Sequence, residues 1–410
     1  MNRIILILFV FIINFSFGIN KDSLLYNAKT DEQKAQAYID ICDSLKNNNQ
    51  FFGKYSTLAL ENALKSNDKQ LIGISYKLEG ISQADSGNYV QALESFNTSI
   101  SYLLDVNDEA TLGAVYNNIG ATYYYQGNLQ KAAENWEQAL RLYLKNNNKS
   151  SAAGCYNNIG LLNNSIGDNE QALKNFKKAV LIFEELDEKV KLTHLYINIS
   201  IIEKDLGNYE SAINYLNKSI YLKKLLKDEK GLSVAYNNIA MVYTKQNKFE
   251  LAEEYFSMAI SLKKKHNDKN GLLLTYMNLI DCYIAQEEID KAIDYSYIGL
   301  DLSKYEESAI NRSLFYKYLS DLYKLKDDNK KFEHYLLLYT QINDSIQQYQ
   351  DSIVIQSVLK NTDSLDFKND DIDTVNSVES DFSLIVIFSI IGILIFILVV
   401  ILFYKNRKLS

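Results

Sequence analysis

The chain has 410 residues, 47% hydrophobic and 23% charged, with 31 Tyr and 18 Phe but only 16 Gly and no Pro. A chain of this length ordinarily carries about 20 prolines; their absence excludes collagen-like and polyproline segments and Pro-rich linkers, and lets helices run uninterrupted. The net charge of −8 excludes a basic field for reading nucleic-acid phosphates, and three scattered cysteines (Cys42, Cys155, Cys282) suggest neither a disulfide framework nor a zinc site.

Residues 1–18, MNRIILILFVFIINFSFG, place Arg3 ahead of an apolar run from Ile4 to Phe17, with Ser16 and Gly18 at a cleavage point. This is the layout of a secretory signal peptide. As a helix the run reaches roughly 21 Å, short of a hydrocarbon core of about 30 Å, so a retained anchor is the weaker alternative.

Residues 29–348 are repetitive. YNNIG at 116–120 and 156–160 returns as YINIS at 196–200, YNNIA at 236–240 and YMNLI at 276–280. With Tyr76 and Tyr316 the period is 40 residues without an insertion. A second phrase follows in each copy, such as GNLQKAAENW from Gly127 and GDNEQALKNF from Gly167. A worn first copy around Gln36–Asp40 and Phe52–Ala59 brings the count to about eight, and periods of this size mean a solenoid or array. Tyr116, Ile119, Gly120 and Tyr123 form one helical stripe; Ala132, Trp136 and Ala139 form a second. Between them Gly127 supplies a left-handed residue and Asn128 a cap. Each copy is therefore helix–turn–helix, and the fold class is all-α.

The helix expected to end the array covers 341–360 and caps its last repeat. Residues 361–381 hold seven acids against one base and read as a flexible acidic linker. The run 382–404 has 23 residues without a charge, about 35 Å as a helix, and reads as a single transmembrane helix. Lys405, Arg407 and Lys408 follow it, so the positive-inside bias puts the tail 405–410 in the cytoplasm and the body outside.

The repeated aromatic, hydrophobic-small, Tyr, Gly, Ala, Phe pattern over about 29–348 resembles the tetratricopeptide repeat. It departs from the common period of 34 and lacks the Pro that often closes the second helix, and in period it is similar to the longer 40-residue variants. The resemblance implies a right-handed superhelix whose concave groove is lined by the first helix of each copy. In the family, the position of Asn118, Asn158, Asn198, Asn238 and Asn278 faces that groove, and chaperone-binding members use such an Asn to hold a peptide. A carboxamide both donates and accepts, which suits an extended peptide backbone; bracing between neighbouring helices is the competing role. Lys204 and Lys245 are the only basic residues placed to assist, so a full clamp on a terminal carboxylate is not expected.

Most tyrosines fall on the packing stripe, and Tyr124 and Tyr125 extend it towards the groove. No GxGxxG, P-loop, HExxH or GxSxG motif occurs, so no enzyme activity, cofactor or metal is expected. Leader, array and span together resemble the extracytoplasmic part of bacterial membrane sensors of the histidine kinase or LuxR type. The expectation is a membrane-anchored scaffold in the periplasm, spanning the inner membrane once and binding a protein or peptide through its groove. The alternative is the input module of a signalling protein whose kinase or DNA-binding output is missing or supplied by a membrane partner.

Overall fold

Every turn in the repeat region obeys one rule, which sets the architecture. The computed structural model describes residues 21–45, 49–305 and 308–366, and among these there are 17 α-helices and no strand. The leader 1–18, the run 382–404 and the tail 405–410 lie outside the described residues. Among the described residues no helix is long and apolar enough to cross a membrane.

A short α1 (Lys21–Asn27) precedes the first pair, α2 (Asp31–Ser44) and α3 (Asn49–Ser66). The second copy is α4 (Lys69–Asp85) and α5 (Tyr89–Asp105), the third α6 (Glu109–Tyr125) and α7 (Leu129–Lys145), and the fourth α8 (Lys149–Ser165) and α9 (Asn169–Glu185). The fifth is α10 (Lys189–Asp205) and α11 (Tyr209–Leu225), the sixth α12 (Glu229–Lys245) and α13 (Phe249–Lys265), the seventh α14 (Lys269–Ala285) and α15 (Ile289–Tyr305). The eighth is α16 (Ala309–Leu325) and α17 (Asn329–Asp366). The chain divides into two compact units at Leu302/Ser303.

From copy two to copy seven each helix has 17 residues and each turn three. The middle turn residue has positive φ every twenty residues, from Asn67 (57°) through Gly87 (79°) and Asn107 (55°) to Glu287 (61°). This is the left-handed cap that ends a helix by satisfying its last carbonyls. At Gly127 three successive amides are used: Gly127 N–H donates to Tyr124 O (2.9 Å), Asn128 to Tyr123 O (2.9 Å) and Leu129 to Gly127 O (3.0 Å). The turn at Asn147 repeats all three bonds. A proline at any of these positions would delete a donor, which explains the missing prolines more closely than helix continuity does. The expected Asn/Asp caps form at Asn128, Asp168, Asp228 and Asp268, whose side chains accept from the backbone N–H three residues on. Asn88 and Asn208 make no such bond, a correction to the uniform capping expected from the repeat.

Within each copy, small and large residues alternate across the helix pair. A Cβ on Gly120 would lie 2.6 Å from the Trp136 ring, and one on Gly160 2.6 Å from Phe176. At the same repeat positions Ser200 pairs with Leu216, Ala240 with Phe256 and Ile280 with Ser296, all buried. The volume therefore shifts between partners while their sum is held, as a close-packed core requires. Cys42, Cys155 and Cys282 are buried as small hydrophobes, and burial pushes the Cys155 thiol up to about 12.

In the first unit the first helices of successive copies touch: α4 with α6, α6 with α8, α8 with α10, α10 with α12 and α12 with α14. Second helices touch mainly the first helices on either side of them. The first helices thus form the closer-spaced row.

In the second unit Tyr335 of α17 stacks on Tyr316 and Tyr323 of α16, and Ser313 Oγ donates to Asn343 Oδ1 at 2.6 Å. The segment 341–360 continues the second helix of copy eight as part of α17 and is not a separate cap. α17 runs to Asp366, six residues into the segment read as a linker.

Candidate ligand-binding groove

The first helices α6, α8, α10, α12 and α14 bring one repeat position to a common row, and it carries Asn118, Asn158, Asn198, Asn238 and Asn278, all half-buried. The row is cross-linked. Asn158 Nδ2 donates to Asn117 Oδ1 of the preceding copy at 3.0 Å, Asn198 to Asn157 at 3.1 Å and Asn278 to Asn237 at 3.1 Å. The register is 41 residues, one more than the repeat: the second Asn of one copy reaches the first Asn of the previous copy. Asn117 also accepts a weak contact from Cys155 Sγ, and its backbone carbonyl takes the Trp136 indole N–H at 3.1 Å.

The ladder is interrupted at copy five, where Ile197 stands in place of the first Asn. Asn238, which would have used it, turns back to the Val234 carbonyl of its own helix (2.9 Å). Three of the five predicted asparagines therefore spend one N–H on bracing, and each retains a carbonyl and a second N–H. Sequence reasoning missed Asn117, Asn157 and Asn237, although the NN dipeptide was visible.

Clefts lie between these first helices. One of about 390 Å³ is bordered by Asn117, Asn157, Asn158, Lys191 and His194, with Gly154 in its floor. A second, about 410 Å³, brings Lys245 and Asn278 together beside Asp281. A third, about 230 Å³, holds Asn118 with Lys77, Asp43 and Asp85. Lys204 is drawn away from the row: it is mostly buried and paired with Asp205 at 3.2 Å. No single cleft joins all the predicted residues.

Partial burial pushes the His194 imidazole below its ordinary pKa, and the nearby Lys223 ammonium adds to this while Asp228 opposes it. His266 has an acid partner that sequence reading did not anticipate, Glu229 Oε2 at 2.8 Å. Tyr125 is exposed, whereas Tyr124 packs on Trp136. Among the described residues no group of His, Cys, Asp or Glu is arranged to hold a metal.

On the side away from the row two lysines are buried at the ends of second helices. Lys223, 1% exposed, donates to Asp228 Oδ2 at 3.1 Å. Lys263, 3% exposed, donates to Gly271 O (2.9 Å) and Thr275 Oγ1 (2.7 Å), and burial lowers its pKa against the opposing pull of Asp268.

The tetratricopeptide repeat model matches residues 111–185, 151–224 and 192–265, in overlapping frames. No curated protein matches the sequence. Among solved structures the chain is similar to aspartyl phosphate phosphatase F from Bacillus subtilis, with TM-score 0.56 and 19% identity, covering 81% of this chain and 86% of that one. It is also similar to a signal-transduction ATPase with numerous domains that carries a tetratricopeptide repeat sensor, from Pyrococcus horikoshii, with TM-score 0.58 and 16% identity over 82% of this chain and 53% of that one. A third is the Rap conjugation regulator of plasmid pLS20 in complex with the Phr* peptide, with TM-score 0.51 and 17% identity over 80% and 94% of the two chains. At these identities the likeness is one of fold. With the 40-residue period, the paired helices and the matched segments in agreement, the chain belongs to the tetratricopeptide repeat proteins.

Proposed function

We propose that the chain is a membrane-anchored scaffold that binds a protein or peptide partner through the row of first helices, outside the cytoplasm. The observation that carries the binding role is what this row leaves uncovered. At the repeat position of Gly154 and His194 it presents Val234 (42% exposed) and Leu274 (54% exposed), next to carboxamides with unused donors and acceptors. Exposed apolar groups beside amide donors suit an extended polypeptide, whose side chains and backbone they meet together. The Rap regulator noted above has a peptide bound, which supports the same use of the fold. Binding without chemistry fits the absence of a catalytic motif from the sequence. Membrane anchoring and the periplasmic side rest on the run 382–404 and the bases after it.

Two measurements test this. Partner capture by the full-length chain in detergent should be lost with Val234→Glu plus Leu274→Glu and kept with Leu181→Glu, which alters an exposed apolar residue (67%) on a second helix. Equal capture by all three would place binding elsewhere. A C-terminal reporter active only in the exported compartment would overturn the topology.

A further inference from the structure

Most helical glycines of the array are forced by packing. A Cβ on Gly80, Gly113, Gly120 or Gly160 would come within 2.6–2.9 Å of Phe96, Tyr143, Trp136 or Phe176. Gly154 differs. It sits in the interior of α8, and a Cβ there would meet nothing within 4 Å. A glycine in a helix interior costs about 1 kcal/mol relative to alanine, and no neighbour compensates for it here. What the missing side chain leaves is the open floor of the 390 Å³ cleft between α8 and α10. At the same repeat position Val234 and Leu274 fill the corresponding space.

The rim of this cleft has a distinct charge. It is lined by Ser150, Ser151, Asn157, Asn158, Lys191 and His194 among others, and by no carboxylate. Each of the four other clefts of the first unit has at least one: Asp281, the Asp43/Asp85 pair, the Glu184/Asp187 pair and Glu229. In a chain of net charge −8 this is the cleft where a negative group meets cations and amide or hydroxyl donors without an opposing acid. The adjacent carboxylate, Glu188, is engaged behind the rim by Ser150 Oγ (3.3 Å) and Lys191 Nζ (3.4 Å). Lys191 Nζ also donates to Ser150 Oγ at 2.7 Å, which holds the ammonium at the cleft edge.

We propose that the Gly154 cleft receives an aspartate or glutamate side chain from an acidic segment of a partner polypeptide, with Lys191 and His194 as its cationic contacts. This rests on the first-helix row being the binding face and adds which chemistry that face selects. The site is set apart from the asparagine row by its use of the amino-terminal half of α8 and α10.

The test is selection of random short peptides displayed on phage against the full-length chain in detergent, alongside Gly154→Leu and Lys191→Glu. The wild-type chain should enrich peptides rich in Asp and Glu. Both variants should lose at least ten-fold of that capture, and Gly154→Leu should unfold at an equal or higher temperature, because the new side chain enters open space in a helix. Peptides selected without acidic enrichment, or held equally by both variants, would overturn the inference and leave the binding face standing. If no peptide is selected by any chain, the binding face falls with it. Should Gly154→Leu unfold, the Lys191→Glu result decides, since that residue is at the surface.

Discussion

Copies two to five and copies six and seven share one backbone and differ at two recurring positions. The first is the left-handed residue between the paired helices: Gly87, Gly127, Gly167 and Gly207 in the former, Asn247 and Glu287 in the latter. The second is a buried residue at the end of the second helix, Leu103, Tyr143 and Phe183 in copies two to four, then Lys223 and Lys263 in copies five and six. Geometry is thus held constant while the chemistry that stabilises it changes. The difference teaches that helix length and turn shape define this array, and that its later junctions tolerate a glutamate in a strained conformation and an amine out of water.

The largest expected effect comes from the apolar junction. Phe183→Ala should cost about 3–5 kcal/mol, the usual range for emptying a buried aromatic site, measured by chemical denaturation of the copies that contain it. A loss near zero would mean the junctions are not what hold copies together.

Lys263→Met should act the other way and stabilise by about 2 kcal/mol, as replacement of a buried charge by a well-packed apolar chain often does. Thr275 Oγ1 would still donate to Gly271 O (2.9 Å), so no polar group would be orphaned. The folded pKa of Lys263 lies below its ordinary value of 10.5, so between the two the unfolded chain binds more protons. Stability from this group therefore rises with pH across that window, and its penalty is full below it. The advantage of Lys263→Met should shrink as pH approaches 10.5; a gap independent of pH would show the amine to be uncharged or hydrated throughout.

The turn comparison is smaller. Glu287→Gly should stabilise by about 1 kcal/mol and Gly127→Ala should destabilise by a similar amount, because left-handed φ penalises any residue with a Cβ. The same sign for both would break the claim that the two turns are geometrically alike.

The smallest effect separates the bonded and unbonded parts of the asparagine row. Asn158→Ala loses a cross-copy hydrogen bond of about 1 kcal/mol, whereas Asn238→Ala loses only a bond within its own helix. Both gain a few tenths of a kcal/mol in helix propensity. The two variants should therefore differ by about 1 kcal/mol in thermal or denaturant unfolding. If they do not, the ladder contributes no stability and is available entirely to a ligand.

The repeat made most of the fold legible. Tyr at every fortieth position, Gly-Asn turns and small–large alternation placed eight helix pairs, because each signal follows from local backbone geometry and recurs. The site was less legible. The ladder register of 41 depends on how far one first helix is displaced along its neighbour, which no single copy encodes. Lys223 and Lys263 resembled solvated residues at helix ends, because burial there is imposed by the following copy. Gly154 was invisible as a special residue, since only its surroundings distinguish it from Gly120 and Gly160. The leader and the apolar run 382–404 remain sequence-level expectations.

The twenty-residue spacing of left-handed residues means that the turn inside a copy and the turn between copies are the same joint. Removing residues 149–188 would connect Asn148 to Lys189 and recreate a joint of the same three residues and the same bonds, with Glu188 lost and Asn148 capping α10 in its place. Lengthening the array requires only the reverse. Such a chain can change its reach in whole copies through duplication or loss in the gene, with no new connector to evolve, and the span of partner it accommodates changes in the same steps.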